Sequence, residues 1–445
     1  MNRKILLVAV VIILLGTMFA CKGPAPVPAP SPKPAAPAPA PTPAPVPAPS
    51  PTKPVATKEV VILNLSDLTG PTASNNLPVT AMMEMWVKHV NEVKGGLFGK
   101  KGGVKLKLEV ADTHYAVARA KEAWARARDM GMITGFHNMS GLAEGLVVDA
   151  ERDKIPLVCG SWGLKAPWSE WMYGTTHPGL PDTLATEGIL QAREIAKATG
   201  KPAPTKIGTM CSAAPFEPMF FFGNADWIKQ QGITLSRESF PMGAPDVSVN
   251  LLRLKDAGVQ SIYFICSVAD MVTANKDLKR IGWDVEVHHS VCSAVADLAA
   301  IGGWDLIEGR YFCSTYTPID TESKYQGPGH KLIREIAQKY RPTEPVRDYY
   351  IFAMTGCLII QGAIEKALDE ITPDKLNGEA LKTYGLDRLN NLDMMGLTYN
   401  VSYAPGNDHP GPNRDRVFLV KKGLPDGKIT PVADWIEFTK IKPKP

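Results

Sequence analysis

The hydroxyl-bearing residues behind the first apolar run are the first in this chain that could do chemistry. The run from Val60 to Leu63 is bounded by turn formers and predicts a buried β-strand. Ser66, Thr69 and Thr72 follow it, around a Gly70-Pro71 pair that allows a sharp backbone turn. These hydroxyls and the nearby backbone N–H groups could hold a small polar ligand, although an ordinary βα loop explains the same residues.

The residues after this turn determine where it lies in the fold. Apolar side chains recur at helical spacing from Ala81, through Met85 and Trp86, to Val90. Strand, polar turn and helix in this order predict the first βα unit of a parallel sheet. In open sheets of this kind ligands lie just beyond the carboxyl ends of the strands, where the turn is expected.

Cysteine and histidine form no catalytic or metal-binding pattern in the sequence. His288 and His289 are expected on opposite faces of a strand, and HExxH, CxxC, Gly-x-Ser-x-Gly and phosphate-loop motifs are absent. We therefore expect no enzyme activity, no metal and no cofactor. Six cysteines would allow disulfides, but most lie in or beside predicted strands and helices, where free buried thiols are common. They are Cys159, Cys211, Cys266, Cys292, Cys313 and Cys357.

Composition excludes several functional classes. The 445 residues exceed one domain of ordinary size and could form two lobes. A hydrophobic content of 44% and a charged content of 21% suit a soluble globular protein once the N-terminus is set aside. The net charge of +4 is small, and no lysine or arginine block predicts binding to nucleic acid.

The first 20 residues read as an export signal. Arg3 and Lys4 precede an apolar run from Ile5 to Leu15, which is too short to span a bilayer as a mature helix. Ala20 and Cys21 then resemble the cleavage site of a bacterial lipoprotein, in which the cysteine becomes the lipidated first residue. Plain secretion and a single inner-membrane anchor are the alternatives.

Residues 21–57 predict a disordered tether. Fifteen prolines, mostly alternating with alanine, lie between Pro24 and Pro54. Proline at this density prevents helix and sheet and favours polyproline II, with a reach of roughly 100 Å at about 3.1 Å per residue. The segment would hold a folded domain away from a membrane.

From Glu59 short apolar strands alternate with helices in two successive arrays, which predicts two doubly wound α/β lobes side by side. The last third differs, with helices expected at 330–340 and 349–369 and a third opened by Thr372-Pro373. The predicted strands are 60–63, 104–110, 132–136, 155–159, 206–210, 234–240, 260–265, 285–289, 310–313, 397–399, 416–421 and 429–435.

Several segments in this order resemble the type I periplasmic binding proteins of leucine and branched-chain amino-acid uptake systems. The resemblance covers nearly all of residues 58 to 440, and the order and spacing of the segments carry it more than any one of them does. The segments are Leu68 to Pro71, Val90 to Gly99, Val110 to Thr113, Phe216-Glu217, Tyr403 to Pro412 and Asp434-Trp435.

The resemblance implies a binding protein rather than an enzyme: two parallel-sheet lobes, joined by three crossovers, that close on a small ligand. Such a protein acts outside the cytoplasm, is expected to be a monomer, and delivers its ligand to an ABC permease. A sensory receptor domain of the same fold is the alternative, but no transmembrane helix and output domain follow the ligand domain. Lobe 1 is expected at 58–177 and 316–394, lobe 2 at 178–315, and a closing segment of lobe 2 with the tail at 395–445.

The same resemblance implies the site. Ser140 and Ser161 match the segments that hold the ligand carboxylate, and Asn75 matches a contact from the first loop. Trp162 would form a wall of the pocket, and from the second lobe Phe216 and Ser267 match an aromatic lid and a further contact.

Two departures leave the ligand class open. The family threonine that contacts both ends of an amino acid falls at Gly163, and the acid that pairs with the ammonium falls near Val291. Asp270 is the nearest acid at a strand end and could substitute, because a buried ammonium needs an anion. The ligand is therefore a branched-chain or hydrophobic amino acid, or a hydrophobic or aromatic carboxylate without an ammonium. Trp168 and Tyr316 would suit the latter.

The anchor gives the first prediction. Cys21→Ala should remove the lipid acceptor, so that the protein leaves the membrane fraction or keeps its signal peptide. Fractionation and intact-mass measurement test this, and an unchanged membrane fraction with an unchanged mature mass would contradict lipidation at Cys21.

Overall fold

A computed structural model describes residues 55–160, 166, 169–175, 181–213, 225–290, 294–403 and 414–437. The predicted signal, lipidation site and tether, together with Ser161, Trp162 and Phe216, lie outside the described residues.

The first lobe is built on a six-stranded sheet with the order β2-β3-β1-β4-β5-β6. The first predicted strand is its centre, because β1 pairs in parallel with both β3 and β4. Only the short β2 is antiparallel, against β3. The strands are β1 (Lys58–Ser66), β2 (Leu97–Gly99), β3 (Gly102–Asp112), β4 (Met132–His137), β5 (Leu157–Cys159) and β6 (Met172–Gly174).

The second lobe is built on an eight-stranded sheet with the order β13-β12-β11-β10-β9-β7-β8 and with β14 paired to β12. Its strands run parallel from β8 to β11, and β12 closes the sheet antiparallel to β11. The strands are β7 (Lys206–Ala213), β8 (Thr234–Pro241), β9 (Ser261–Ile265), β10 (Glu286–His289), β11 (Tyr311–Ser314), β12 (Arg414–Val420), β13 (Ile429–Pro431) and β14 (Ile436–Glu437). The prediction of two α/β lobes with parallel sheets is confirmed.

Helices cover both faces of each sheet. Those of the first lobe are α1 (Ala73–His89), α2 (Val117–Asp129), α3 (Ser140–Asp153), α10 (Pro328–Tyr340), α11 (Asp348–Glu370) and α12 (Gly378–Ala380). Those of the second lobe are α4 (Pro181–Thr199), α5 (Ala225–Gln230), α6 (Ser248–Asp256), α7 (Val268–Arg280), α8 (Val295–Gly302) and α9 (Trp304–Ile307).

Among the described residues one helix, α11, is long and apolar enough to cross a membrane, and most of it is buried inside the first lobe. Its Gly356 lies where an added Cβ would meet the Phe136 ring of β4 at 2.3 Å, so glycine lets the helix approach the sheet. The apolar length of α11 therefore reflects its place in the core.

Several sequence predictions were wrong in detail, including the strand predicted at 429–435, which ends at Pro431. Helix α1 begins at Ala73, eight residues before the apolar spacing starts, because its first turns carry the buried polar side chains of Asn75 and Asn76. Thr372-Pro373 opens only a 3₁₀ turn, Pro373–Lys375. Residues 397–399 form no strand, because Leu397 accepts from the Thr317 N–H in a segment that passes between the sheets.

The cysteines and the histidine pair play structural parts. The five described cysteines of the folded region are buried and free, as predicted, and Cys292 lies outside the described residues. His289 stacks between Phe264 and Phe312, whereas His288 contacts Ser261 on the other face of β10. The pair does not converge on one point.

Two helix N-termini, one from each lobe, cap each other where the lobes join. The Asp348 carboxylate, at the start of α11, accepts from the Ala296 N–H of α8 at 2.8 Å. In return Asp297 of α8 accepts from the Tyr349 N–H of α11 at 3.2 Å. Asp348 also accepts from the Ile319 N–H at 2.7 Å, just after the segment that passes between the sheets. Each buried carboxylate thus satisfies backbone donors of the opposite lobe.

These carboxyls are protonated more easily than exposed ones. Burial, and then the nearby Asp348 charge, raises the pKa of Asp297 to about 8. Burial raises the pKa of Asp348 to about 6. The only basic partner of Asp297 among the described residues is Arg347, with 3.7 Å between Nη1 and Oδ1. These two carboxyls therefore bind more protons in the folded protein than in the unfolded chain from about pH 4 to pH 8, so the stability that they contribute falls as pH rises through that window.

We expect Asp297→Asn to reduce this loss. The amide oxygen can still accept from Tyr349, but position 297 then carries no charge at high pH. The free energy of unfolding of the variant, relative to that of the wild type, should therefore rise by at least about 1.4 kcal/mol between pH 4 and pH 9, which is the equivalent of one pKa unit. Denaturant unfolding across that range measures this.

The exposed Asp256→Asn is the matched control and should leave the slope unchanged. A second buried pair, Glu187 and Asp415, shares the Gln191 amide and has pKa values raised by burial, so part of the slope should remain in Asp297→Asn. If the free energy of unfolding depends on pH equally in Asp297→Asn and in the wild type, the raised pKa of Asp297 is contradicted.

Candidate functional site

The direction of the chain crossing reverses at one place in each sheet, and such switch points are where open α/β sheets bind ligands. In the first lobe Trp86 of α1 packs with Ile62, whereas Leu146 of α3 packs with Leu63 on the opposite face. The switch point therefore lies at the carboxyl end of β1, between β1 and its neighbours β3 and β4.

The second lobe has its switch point at β7. Ile228 of α5 packs against Ile207 of β7 on one face, whereas Met271 of α7 lies with Phe264 on the other. The loops that follow β7, β8 and β9 surround this point, and that after β7 lies outside the described residues.

A buried carboxylate that the sequence analysis missed braces the first-lobe switch point. Asp67 is fully buried and accepts from the Gly70 N–H at 2.6 Å, and from the Thr72 N–H and Oγ1 at 2.7 Å each. An acid directly after an apolar strand and three residues before glycine is the signal that could have revealed it, since Asp commonly holds its own turn this way.

The hydroxyls expected to hold a ligand are engaged by protein groups of the loop, of α1 and of β3. Ser66 Oγ lies 2.7 Å from Thr80 Oγ1, and Thr69 Oγ1 donates to Asp112 at 2.6 Å. With Thr72 bound to Asp67, all three have protein partners. The structure therefore supports the interpretation of this stretch as a braced βα loop.

Ser140 lies at the carboxyl end of β4 as the first residue of α3, with its side chain partly exposed. The residue before the helix, Met139, supplies no side-chain cap, and its own N–H donates to His137 Nδ1 at 3.1 Å. Burial lowers the pKa of His137 to about 3, which keeps the ring neutral. Ser140 thus stands beside helix N–H groups at a strand end, an arrangement suited to an anion.

Asn75, in the first turn of α1, contacts the other lobe. Its Oδ1 accepts from the Val268 N–H, the first residue of α7, at 3.1 Å, and the contact is buried. The two residues lie at the carboxyl ends of β1 and β9, so this one hydrogen bond joins the two switch points.

Ser267 is the N-cap of α7 and is bound to Asp270. Ser267 Oγ accepts from the Asp270 N–H at 3.2 Å and donates to Asp270 Oδ2 at 2.9 Å. Asp270 Oδ1 accepts from the Gly243 N–H, after β8, at 2.8 Å. The Asp270 side chain is 1% exposed, and burial raises its pKa. Its oxygens hold protein donors, which accounts for its position without a ligand.

Of the remaining candidates, Ser161, Trp162, Gly163, Trp168, Phe216 and Val291 lie outside the described residues. Tyr316 is buried beside the segment between the sheets, where its N–H donates to Ser314 Oγ. Within the described ranges no group of three or more His, Cys, Asp or Glu side chains could hold a metal ion.

Several solved structures similar to this chain are described as ABC transporter proteins. A branched-chain amino acid ABC transporter protein from Thermus thermophilus with bound valine is 20% identical, with a TM-score of 0.73 over 86% of this chain and 98% of that one. A fatty acid ABC transporter substrate-binding protein from Thermomonospora curvata is 17% identical, with a TM-score of 0.74 over 88% and 96%.

A leucine-binding protein from Thermotoga maritima is 17% identical, with a TM-score of 0.65 over 85% of this chain and 99% of that one. At these identities the likeness establishes the shared fold. A comparison with curated protein sequences finds no match. The sequence model of the periplasmic binding protein family matches residues 59–421, most of the chain. The chain belongs to the periplasmic binding protein family.

Proposed function

We propose that this protein is the extracytoplasmic substrate-binding lipoprotein of an ABC uptake transporter. It captures a small hydrophobic carboxylate between its lobes and delivers it to a membrane permease. The N-terminal signal, Cys21 and the proline-rich tether support a lipid anchor with a long reach. The transport role draws on the similar structures, which are described as ABC transporter proteins.

The main support for the proposal is that the two switch points face each other. The Asn75–Val268 hydrogen bond joins them directly. A ligand between them would be reached by groups from both lobes, as a hinged trap requires. From the first lobe we assign the carboxylate to Ser140 and the N–H groups that open α3, with Ser161 in the next loop. Trp162 and Phe216 are assigned to the apolar part.

The positions of the acidic side chains in the second lobe indicate the class of ligand. A buried ammonium needs an anion, and unpaired burial is costly. Two buried acids lie at described strand ends of the second lobe. The Asp270 oxygens already accept from Gly243 and Ser267, and Asp297, at the start of α8, is held in the contact between the lobes, where it accepts from the Tyr349 N–H. This favours a ligand with a carboxylate and an apolar tail but no α-ammonium, and the likeness to a fatty acid binding protein is consistent with it.

A hydrophobic or branched-chain amino acid is the second candidate. The likeness to a protein solved with valine favours it. In that case Asp270 is the group that would receive the ammonium, and its internal hydrogen bonds would have to rearrange.

Leucine and 4-methylpentanoate separate these candidates, because they differ only in the ammonium. We expect 4-methylpentanoate to bind at least about tenfold more tightly, equivalent to about 1.4 kcal/mol. Calorimetry on these two, with valine, isoleucine, phenylalanine, benzoate and other short branched acids, measures this.

Asp270→Asn is the matched variant. It should leave the affinity for 4-methylpentanoate within about threefold, because Asp270 acts as a brace rather than a ligand contact. Tight leucine binding that falls on the order of 30-fold or more in Asp270→Asn would overturn the carboxylate proposal and assign the ammonium to Asp270.

A further inference from the structure

Apart from the contacts of the crossing segments and the residues beside them, polar contacts between helix starts of the two lobes fall at two places in the part of the chain that the structure describes. The reciprocal caps of Asp297 and Asp348 lie beside Ile319, where the chain passes from one sheet to the other. The Asn75–Val268 contact lies instead at the carboxyl ends of β1 and β9. A rotation that opens the cleft about the crossing segments must therefore break the second contact, while the first stays close to the pivot.

The Val268 N–H needs this partner. A helix leaves its first N–H groups without acceptors of its own. In α7 Ser267 Oγ serves the Asp270 N–H, and Val268, which is fully buried, donates to Asn75 of the other lobe. Separation of the lobes would leave this donor to water and remove its buried hydrogen bond.

The chemistry of an amide suits this place. The acceptor must be Oδ1, because the partner is a backbone N–H, so the orientation of the Asn75 amide is fixed. An uncharged acceptor also avoids a second negative charge at a helix start that already holds Asp270. The Asn75 amide is therefore an acceptor matched to this helix end.

Asn75 is also held firmly on its own side. The Thr72 carbonyl accepts the Asn75 N–H at 3.0 Å, and Thr72 is fixed by the buried Asp67. Ser74 Oγ donates to Asn75 Oδ1 at 3.1 Å, which aims the amide. The braced loop after β1 thus positions the one side chain that reaches across to α7.

We propose that Asn75 is a closure latch: its amide oxygen caps helix α7 of the opposite lobe and sets how often the cleft is closed. The inference rests on the proposed trap mechanism, and it assigns Asn75 a positioning role rather than a role in ligand discrimination. The latch forms the same hydrogen bond whatever the ligand is. Its loss therefore lowers the affinity for every ligand by one common factor, which a residue that reads the ligand would not do.

Two variants remove the two halves of the hydrogen bond. Asn75→Ala removes the acceptor. Val268→Pro removes the donor at the first position of a helix, where proline is well tolerated, and the extended backbone of Ser267 (φ −64°, ψ 160°) suits a following proline. Lys276→Ala, at an exposed position of α7, is the control, because it leaves both Asn75 Oδ1 and the Val268 N–H in place.

The distance between the lobes measures closure without a ligand. Spin labels on unnatural amino acids at the exposed positions Val148 in α3 and Val249 in α6 report it in the full-length protein. We expect Asn75→Ala and Val268→Pro to shift the ligand-free distances to longer values, with the closed fraction falling about five- to tenfold. The double variant should match the single ones, because both remove the same hydrogen bond, and Lys276→Ala should match the wild type.

Unchanged distances in Asn75→Ala, or shifts that add in the double variant, would overturn the latch. If 4-methylpentanoate fails to bind while the ligand-free distances shift as expected, the proposed ligand is wrong and the latch stands. If Asn75→Ala changes the affinity for 4-methylpentanoate and for leucine by different factors, Asn75 contributes to ligand discrimination and its role as a closure latch is overturned.

Discussion

Buried helix starts need acceptors for their N–H groups, and in this protein the opposite lobe supplies several of them. Asn75 of the first lobe caps α7 of the second, and Asp297 and Asp348 cap each other's helices. Because an unmade buried hydrogen bond is costly, these contacts fix how the lobes meet. The same need explains Asp67, which satisfies the N–H groups of the loop in front of α1.

This constraint also limits what the cleft can recognise. Carboxylates at the strand ends are natural partners for a cationic ligand, yet Asp67 and Asp270 hold backbone N–H groups of the protein itself. The start of α3, beside Ser140, has no side-chain cap and no acidic residue in its first turn. Positive helix ends with few free acids favour an anionic ligand end, which is the basis of the carboxylate proposal.

The sequence predicted the parts that depend on local pattern. Apolar runs predicted most strands of both sheets, although not the three-residue β2 and β6, and the order of loop segments indicated the family. It could not predict hydrogen bonds between distant residues: Asn75 and Val268 are 193 positions apart, and nothing near either one signals the other. Ser66 ends β1 and Thr69 and Thr72 follow it, close to where they were predicted, but their partners Thr80, Asp112 and Asp67 decide their role. Residues 397–399 were predicted as a strand. In the structure they belong to the segment between the lobes, where the Leu397 carbonyl accepts from the Thr317 N–H.

The identity of a ligand retained by the native protein is the most direct test of the account. Native mass spectrometry of the protein purified from its host, followed by denaturation and mass analysis of the released molecule, would provide it. The account predicts a small hydrophobic monocarboxylic acid without a primary amine, bound one per chain. A retained α-amino acid would contradict the proposed ligand class, and a peptide or nucleotide would contradict the proposed site as a whole.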